Sequence, residues 1–270
     1  MRGNTMHTQY LTAWTQWIQA NGGSENTITT RLYGIRALMN HRGNPDPVTF
    51  TTAQIVAWLA DCHNDWTRRT YLITARQWHR WLLEQGLRAD DPTGLLRSPR
   101  TPRAVPRPAP GDAIHAVLTG APRRVRAYIV LGLYAGLRCC EIARVTGQDF
   151  DGDRFYVVGK GGSGEWMPVH PLVAQLTRGY PTYGWWFPGR DHGHVAAKAV
   201  SRTIAAAFTR AGYHVTAHQL RHWFGTETLR QSGDLRVVQE LMRHRSVAST
   251  QIYTQVESRA KTSAVRRLSA

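Results

Sequence analysis

Three short stretches of this chain carry side chains able to act together on a phosphodiester. They are AGLRCCEIARV around Arg138, TAHQLRHWFGTETL around His218, and LMRHRSVASTQIYT, which holds His244 and Tyr253. With Lys160 from GKGGSG, the set in chain order is Arg138, Lys160, His218, Arg221, His244 and Tyr253. Covalent attack by a tyrosine on a phosphodiester without a metal needs such a set: a phenol, permanent cations, and groups that move protons.

Taken singly, each residue has an ordinary alternative. Arg138 follows a helix break in GLR and has Glu141 one turn on, which is the spacing of a surface ion pair. Arg221 lies three residues after His218, so both fall on one helical face. Thr216 is the expected N-cap of that helix, with Gln219 at the capping-box position. His214, His218 and His222 have i, i+4, i+8 spacing and raise the question of a metal stripe. A helix that opens after Thr216 leaves His214 outside it, and no carboxylate or cysteine completes a ligand set, so no metal is expected. Lys160 in a glycine-rich turn is not a P-loop lysine, because GxxxxGK[ST] is absent; no ATP site and no cofactor are implied.

The whole chain is strongly cationic. Among its 270 residues, Lys and Arg number 34 against 18 Asp and Glu, a formal charge of +16. The lysines are Lys160, Lys198 and Lys261; a genome biased toward arginine codons exchanges one cation for another and leaves this excess unexplained. A polyanionic partner, nucleic acid, is expected. No apolar run approaches the ~18 residues a spanning helix requires, and no signal peptide is legible. Cys62, Cys139 and Cys140 have no metal-ligand spacing and suggest no disulfide framework. A cytoplasmic protein, associated with the nucleoid, is expected.

Positioning the chemical groups falls to two differently patterned regions. Arg97 to Gly111, RSPRTPRAVPRPAPG, repeats proline and should be extended and semi-rigid. Before it, helical periodicity runs over Thr5–Ala20, Glu25–His41, Thr52–Cys62 and Thr67–Gln85. In the last of these, Tyr71, Ala75, Trp78 and Leu82 share one face, while Arg69, Arg76 and Arg80 line the opposite one. That arginine face is either solvated or a stripe that contacts phosphates; Arg100, Arg103 and Arg107 in the linker extend the same expectation. Trp14, Trp17, Trp58 and Trp81 are expected in the core. After the linker, helices are expected at Asp112–Leu118, Pro122–Tyr134 and Arg138–Val145. Arg154–Val158 and Glu165–Val169 form a hairpin with Lys160 at its turn. Trp185–Phe187 is expected as a third strand, with helices thereafter and a further short one opening at Ser249.

The motifs YAGLRCCEIARVTGQDFD, VVGKGGSGEWMPV, HQLRHWFGT and LMRHRSVASTQIY resemble the tyrosine recombinase (phage integrase) family at every catalytic position, and the resemblance covers nearly the whole chain. It implies two domains: an all-α core-binding bundle (1–96), a linker (97–111), and a mixed α+β, mainly helical catalytic domain with a small antiparallel sheet and a C-terminal tail (112–270). The chain opens directly on the core-binding helices, which fits a compact form without an arm-binding domain. One departure is visible: the family usually has glycine where this chain has Arg243, immediately before His244.

The resemblance also implies a mechanism and partners. Tyr253 would attack the scissile phosphate and leave a 3′-phosphotyrosyl enzyme. Arg138, Arg221 and His244 would hold the non-bridging oxygens, Lys160 would protonate the 5′-oxygen, and His218 would take the phenolic proton. The expected partner is duplex DNA carrying attachment or core sites, bound by a homotetramer on two sites, with an accessory directionality factor. The basic tail Glu257–Ala270 would dock on a neighbouring protomer. The expected activity is site-specific recombination for integration and excision of a mobile element. Its alternatives are Xer-type chromosome or plasmid resolution, type IB topoisomerase-like relaxation, and a non-catalytic DNA-binding role.

Overall fold

A computed structural model describes residues 2–43, 46–100, 105–159, 162, 164–190 and 193–243. The chain divides into two compact units at the Pro102/Arg103 junction. The first is built from α1 (Arg2–Ala20), α2 (Glu25–Asn40), α3 (Thr52–Ala60) and α4 (Asp65–Glu84). Each of the last three helices starts where a side chain relieves its open backbone donors. Ser24 Oγ accepts from Thr27 N–H, Thr51 and Gln54 form a capping box, and Asn64 Oδ1 accepts from Thr67 N–H at 2.8 Å. The Asn64 cap explains why α4 opens at Asp65, two residues earlier than its periodicity predicts.

The core of this unit is aromatic. Trp14 meets Trp78 edge to face at 5.0 Å, and Trp58 stacks on Tyr71 at 4.4 Å. Trp14, Trp58, Trp78 and Trp81 are buried and Trp17 packs against them, as expected for core residues. The Trp78 indole donates to the Pro47 carbonyl at 2.6 Å, so its one polar atom is satisfied inside the core. From α4, Leu72, Ala75, Trp78, Trp81 and Leu82 reach this core.

The second unit is mainly helical with one small sheet. Its helices are α5 (Gly111–Gly120), α6 (Arg123–Tyr134), α7 (Cys139–Ala143), α8 (Pro171–Thr177), α9 (Ala197–Arg210), α10 (Ala217–Ser232) and α11 (Leu235–Leu241). Central to it is α6, buried from Ala127 through Leu133. Gly132 lets α10 approach, since a Cβ there would sit 3.2 Å from that of Leu220. The sheet runs β1 (Phe150–Asp151), β2 (Arg154–Val158), β3 (Gly164–Pro168), antiparallel throughout, with Phe155 opposite Met167 and Tyr156 opposite Trp166. Phe155 and Val157 point inward while Arg154, Tyr156 and Val158 face out, which is the period-two pattern of a half-buried strand.

Two expectations are corrected here. The third strand is Phe150–Asp151, and Trp185–Phe187 does not join the sheet. Trp186 N–H instead bonds the Val145 carbonyl at 2.9 Å, and Trp185 makes an isolated bridge with Thr146. The reason is burial: Trp186 stacks on Phe150 at 4.7 Å, and Phe187 meets Tyr128 at 4.6 Å. Both rings are needed in the core, where a ladder position would place only one inward. The helix expected over Arg138–Val145 is confined to Cys139–Ala143, with Arg138 as its N-cap.

Candidate active site

Arg138 owes its position to the turn ahead of it. Gly136 adopts φ +59°, and a Cβ there would lie 2.5 Å from the Phe224 ring. Only glycine combines this left-handed backbone with so close a ring. The chain then enters α7, where Glu141 Oε2 accepts from the Arg138 backbone N–H at 2.8 Å and Oε1 accepts from Arg138 Nη1 at 2.9 Å. The sequence suggests a surface pair here; the Glu141 side chain is in fact 4 % exposed, while that of Arg138 keeps 37 %. A buried carboxylate thus orients a guanidinium that still reaches solvent.

His218 and Arg221 come from the first turns of α10. Gln219 Oε1 accepts from Thr216 N–H at 2.9 Å, the expected capping box, so the helix begins at Ala217 and His214 lies outside it. Arg221 is 3 % exposed and donates from Nη1 to the Gly136 carbonyl and from Nη2 to the Met242 carbonyl. One guanidinium therefore ties the turn before Arg138 to the end of α11. A guanidinium carries five N–H donors, and these two contacts serve the frame.

The electrostatics are those of a site for an anion. Burial first, then the Arg221 and Arg138 charges, lower the His218 pKa below its ordinary value of 6.5, which favours the neutral imidazole. His222, one turn on, is lowered to about 4, by burial and then by His218 and Arg221. A neutral His218 is able to accept a proton, and the arginines offer fixed positive charge.

The structure brings Arg138, His218 and Arg221 together. Lys160, His244 and Tyr253 lie outside the described residues, as do Arg103, the helix expected at Ser249 and the tail Glu257–Ala270. For two residues already visible in the sequence, only the structure gives the setting: Glu141, whose burial turns an ordinary i, i+3 pair into an orienting group, and Arg243, whose Nη2 meets Glu141 Oε2 at 2.8 Å. The Arg138-x-x-Glu141 spacing was the one legible signal for the first.

The arginine face of α4 is less uniform than its spacing suggests. Arg69 and Arg80 are exposed, Arg80 pairing with Glu84 at 2.9 Å. Arg76 is half-buried instead, donating Nη1 to Ser98 Oγ at 2.9 Å and Nη2 to the Leu96 carbonyl. It pins the segment after α4 to the helix, while Arg69 and Arg80 are the exposed members of the face. Arg100 and Arg107 are exposed.

The described residues thus form a helical unit followed by a mainly helical unit that carries a three-stranded antiparallel sheet and an arginine–histidine cluster. The chain belongs to the Phage integrase family, whose profile matches residues 112–259. It is 37 % identical over 201 residues to Tyrosine recombinase XerC of Xanthomonas campestris pv. campestris (strain B100), covering 69 % of this chain and 62 % of that protein. The match therefore spans less than two thirds of that relative's length. Among solved structures, the integrase from mycobacterium phage Brujita is 38 % identical, with 96 % of this chain and 92 % of that one covered and a TM-score of 0.52. The lambda integrase (75–356) dimer bound to a COC′ core site shares the fold, with a TM-score of 0.72 at 19 % identity, over 89 % of this chain and 95 % of that one.

Proposed function

We propose that this protein is a site-specific DNA recombinase that cleaves and rejoins duplex DNA through a 3′-phosphotyrosyl intermediate. The observation that carries the reading is the buried frame that holds Arg138 and Arg221, with His218 within reach of both their charges, in a chain whose family match also spans Lys160, His244 and Tyr253. Tyr253 Oη attacks phosphorus in line, the bond from phosphorus to the 5′-oxygen breaks, and the phosphoryl group passes to the tyrosine. His218, held neutral, takes the phenolic proton, and Lys160 supplies one to the leaving 5′-oxygen. Arg138, Arg221 and His244 stabilise the charge on the non-bridging oxygens, where loss of one such donor typically costs ~2.7–4 kcal/mol. Attack by a different 5′-hydroxyl reverses these steps and joins exchanged strands, so no ATP is consumed.

In this reading residues 1–96 grip duplex DNA, 97–111 link the two parts, and 112–270 hold the chemistry. Arg69, Arg80, Arg100, Arg103 and Arg107 supply phosphate contacts. Four protomers work on two sites, in the cytoplasm and on the nucleoid, with an accessory factor setting direction. Integration and excision of a mobile element is the favoured role, supported by similarity to a phage integrase over 96 % of the chain. Xer-type chromosome or plasmid resolution is the second reading, supported by similarity to XerC. Prophage genes beside an attachment repeat would separate the first from the second.

The deciding experiment starts from a site selected out of random duplexes by the full chain. That site is then nicked beside the cleavage position to trap covalent protein on DNA. Wild type should be trapped, and Tyr253→Phe should bind the duplex without trapping. Equal trapping by both would remove Tyr253 as nucleophile.

A further inference from the structure

Arg243 is the one non-glycine with positive φ among the described residues, at +51°. A left-handed backbone disfavours a residue with a Cβ, and such positions persist where the surroundings over-determine them. The surroundings here are specific. The Arg243 side chain is 5 % exposed, and its Nη2 lies 2.8 Å from Glu141 Oε2. The same Nη2 is 3.4 Å from the Gly136 carbonyl, which also accepts from Arg221, and Nη1 is 3.3 Å from the Leu241 carbonyl. Glu141 thus divides its two oxygens: Oε1 takes the Arg138 guanidinium, and Oε2 takes Arg243 together with the Arg138 backbone N–H.

A buried carboxylate whose only partner was Arg138 would be tied at both oxygens to that one residue and would move with it. With a second cation fixed on the opposite oxygen, the carboxylate plane is held, and so is the direction from which Arg138 is approached. Burial by itself would raise the Glu141 pKa; the charge of Arg243, then the Arg138 N–H, then the Arg221 and Arg138 charges, bring it below its ordinary value. The group thus stays an anion where a buried carboxyl would otherwise tend to protonate.

We infer that Arg243 is a positioning residue for DNA cleavage, holding Glu141 so that Glu141 aims the Arg138 guanidinium at the scissile phosphate. This rests on Arg138 being a phosphate-holding group. Arg243 does not touch DNA in this scheme; it acts through two side chains.

The test uses the full chain and the nicked duplex carrying the selected site, with duplex affinity, covalent trapping rate at saturating DNA and thermal unfolding read in parallel. Arg243→Gly removes the ion pair while suiting the left-handed backbone. It should fold, bind duplex as wild type does, and lose about tenfold or more in trapping rate, as expected for one charge-assisted contact. Arg243→Lys should recover most of the rate, because a single donor to Oε2 is required and an ammonium provides it. Glu141→Gln should be slow as well, and Arg243→Gly added to it should cost less than about twofold more, since the two act as one unit. Additive losses, or no rescue by lysine, would overturn the proposal. Should Arg243→Gly not fold, Arg243→Met, which keeps the stem volume, takes its place; if that also fails to fold, Arg243 serves stability alone and the proposal falls. Arg138→Ala keeps the two readings apart. Normal trapping by Arg138→Ala sinks the site itself, whereas its failure alongside a wild-type rate in Arg243→Gly sinks only the role of Arg243.

Discussion

The rings of His218 and His222 meet edge to face, their centroids 4.4 Å apart and their planes at 79°. Both imidazoles are lowered from 6.5, His222 to about 4, with burial the leading cause in each. Near neutral pH the pair is therefore uncharged, and His218 keeps its lone pair for a phenolic proton.

A lowered His218 makes a signed prediction for the pH dependence of cleavage. Protonation of His218 is postponed to lower pH, so the midpoint of the acid loss in single-turnover trapping rate should lie below pH 6.5. A rate already half lost above pH 6.5 would contradict a neutral His218 as proton acceptor.

Gly136 should be intolerant of a side chain for two separable reasons. Alanine there adopts a left-handed backbone and also meets the Phe224 ring at 2.5 Å. Gly136→Ala should cost about 2–4 kcal/mol in denaturant unfolding, from strain plus overpacking. Gly152→Ala has a similar φ of +60° but nothing within 4 Å, so it should cost only about 1 kcal/mol. Equal losses at the two positions would show that Phe224 yields.

His79 gives the first unit an acid sensitivity. It is 0 % exposed, its Nδ1 pairs with the Ala75 carbonyl at 2.7 Å, and its pKa is lowered from 6.5 to about 4, chiefly by burial. Between those two values the unfolded chain binds a proton that the folded chain refuses, so stability falls as pH drops through that window. The loss should reach about 2 kcal/mol by pH 5. Unfolding followed by tryptophan fluorescence, to which this unit contributes six of the ten indoles, should lose pH dependence between pH 7 and 5 on His79→Phe. An unchanged dependence would place the acid-sensitive group elsewhere.

Arg76 and its neighbours on α4 should part company. Arg76→Ala loses the contacts to Leu96 and Ser98 and should lower stability by about 1 kcal/mol. Replacing Arg69 and Arg80 by alanine should cost less than Arg76→Ala does, because the exposed Arg80–Glu84 pair is worth only about 0.3–0.5 kcal/mol. If the two contact phosphates, the slope of log K against log salt for duplex binding should flatten by about 0.9 per contact. An unaltered slope in the folded double variant would leave the grip on DNA to other residues.

Much of this protein was legible because neighbouring residues decide it. The periodicity of Tyr71, Ala75, Trp78 and Leu82 marked α4; alternation marked Arg154–Val158 with the bounds observed; Thr216 and Gln219 marked the start of α10. Helix caps and strand alternation act within a few residues, so a linear reading captures them. The types and order of Arg138, Lys160, His218, Arg221, His244 and Tyr253 likewise belong to the sequence, and they pointed to the family.

Tertiary structure decided what those residues face. Trp185–Phe187 has strand-like composition, but the core's demand for two adjacent rings kept it out of the sheet. Arg76 shares a helical stripe with Arg69 and Arg80, yet the returning chain at Leu96–Ser98 claims it. Arg221 joins Gly136 across 85 positions and Arg243 joins Glu141 across 102. No local pattern encodes such pairs, because the cost of burying a guanidinium or a carboxylate is met only when folding brings its distant partner within hydrogen-bonding reach.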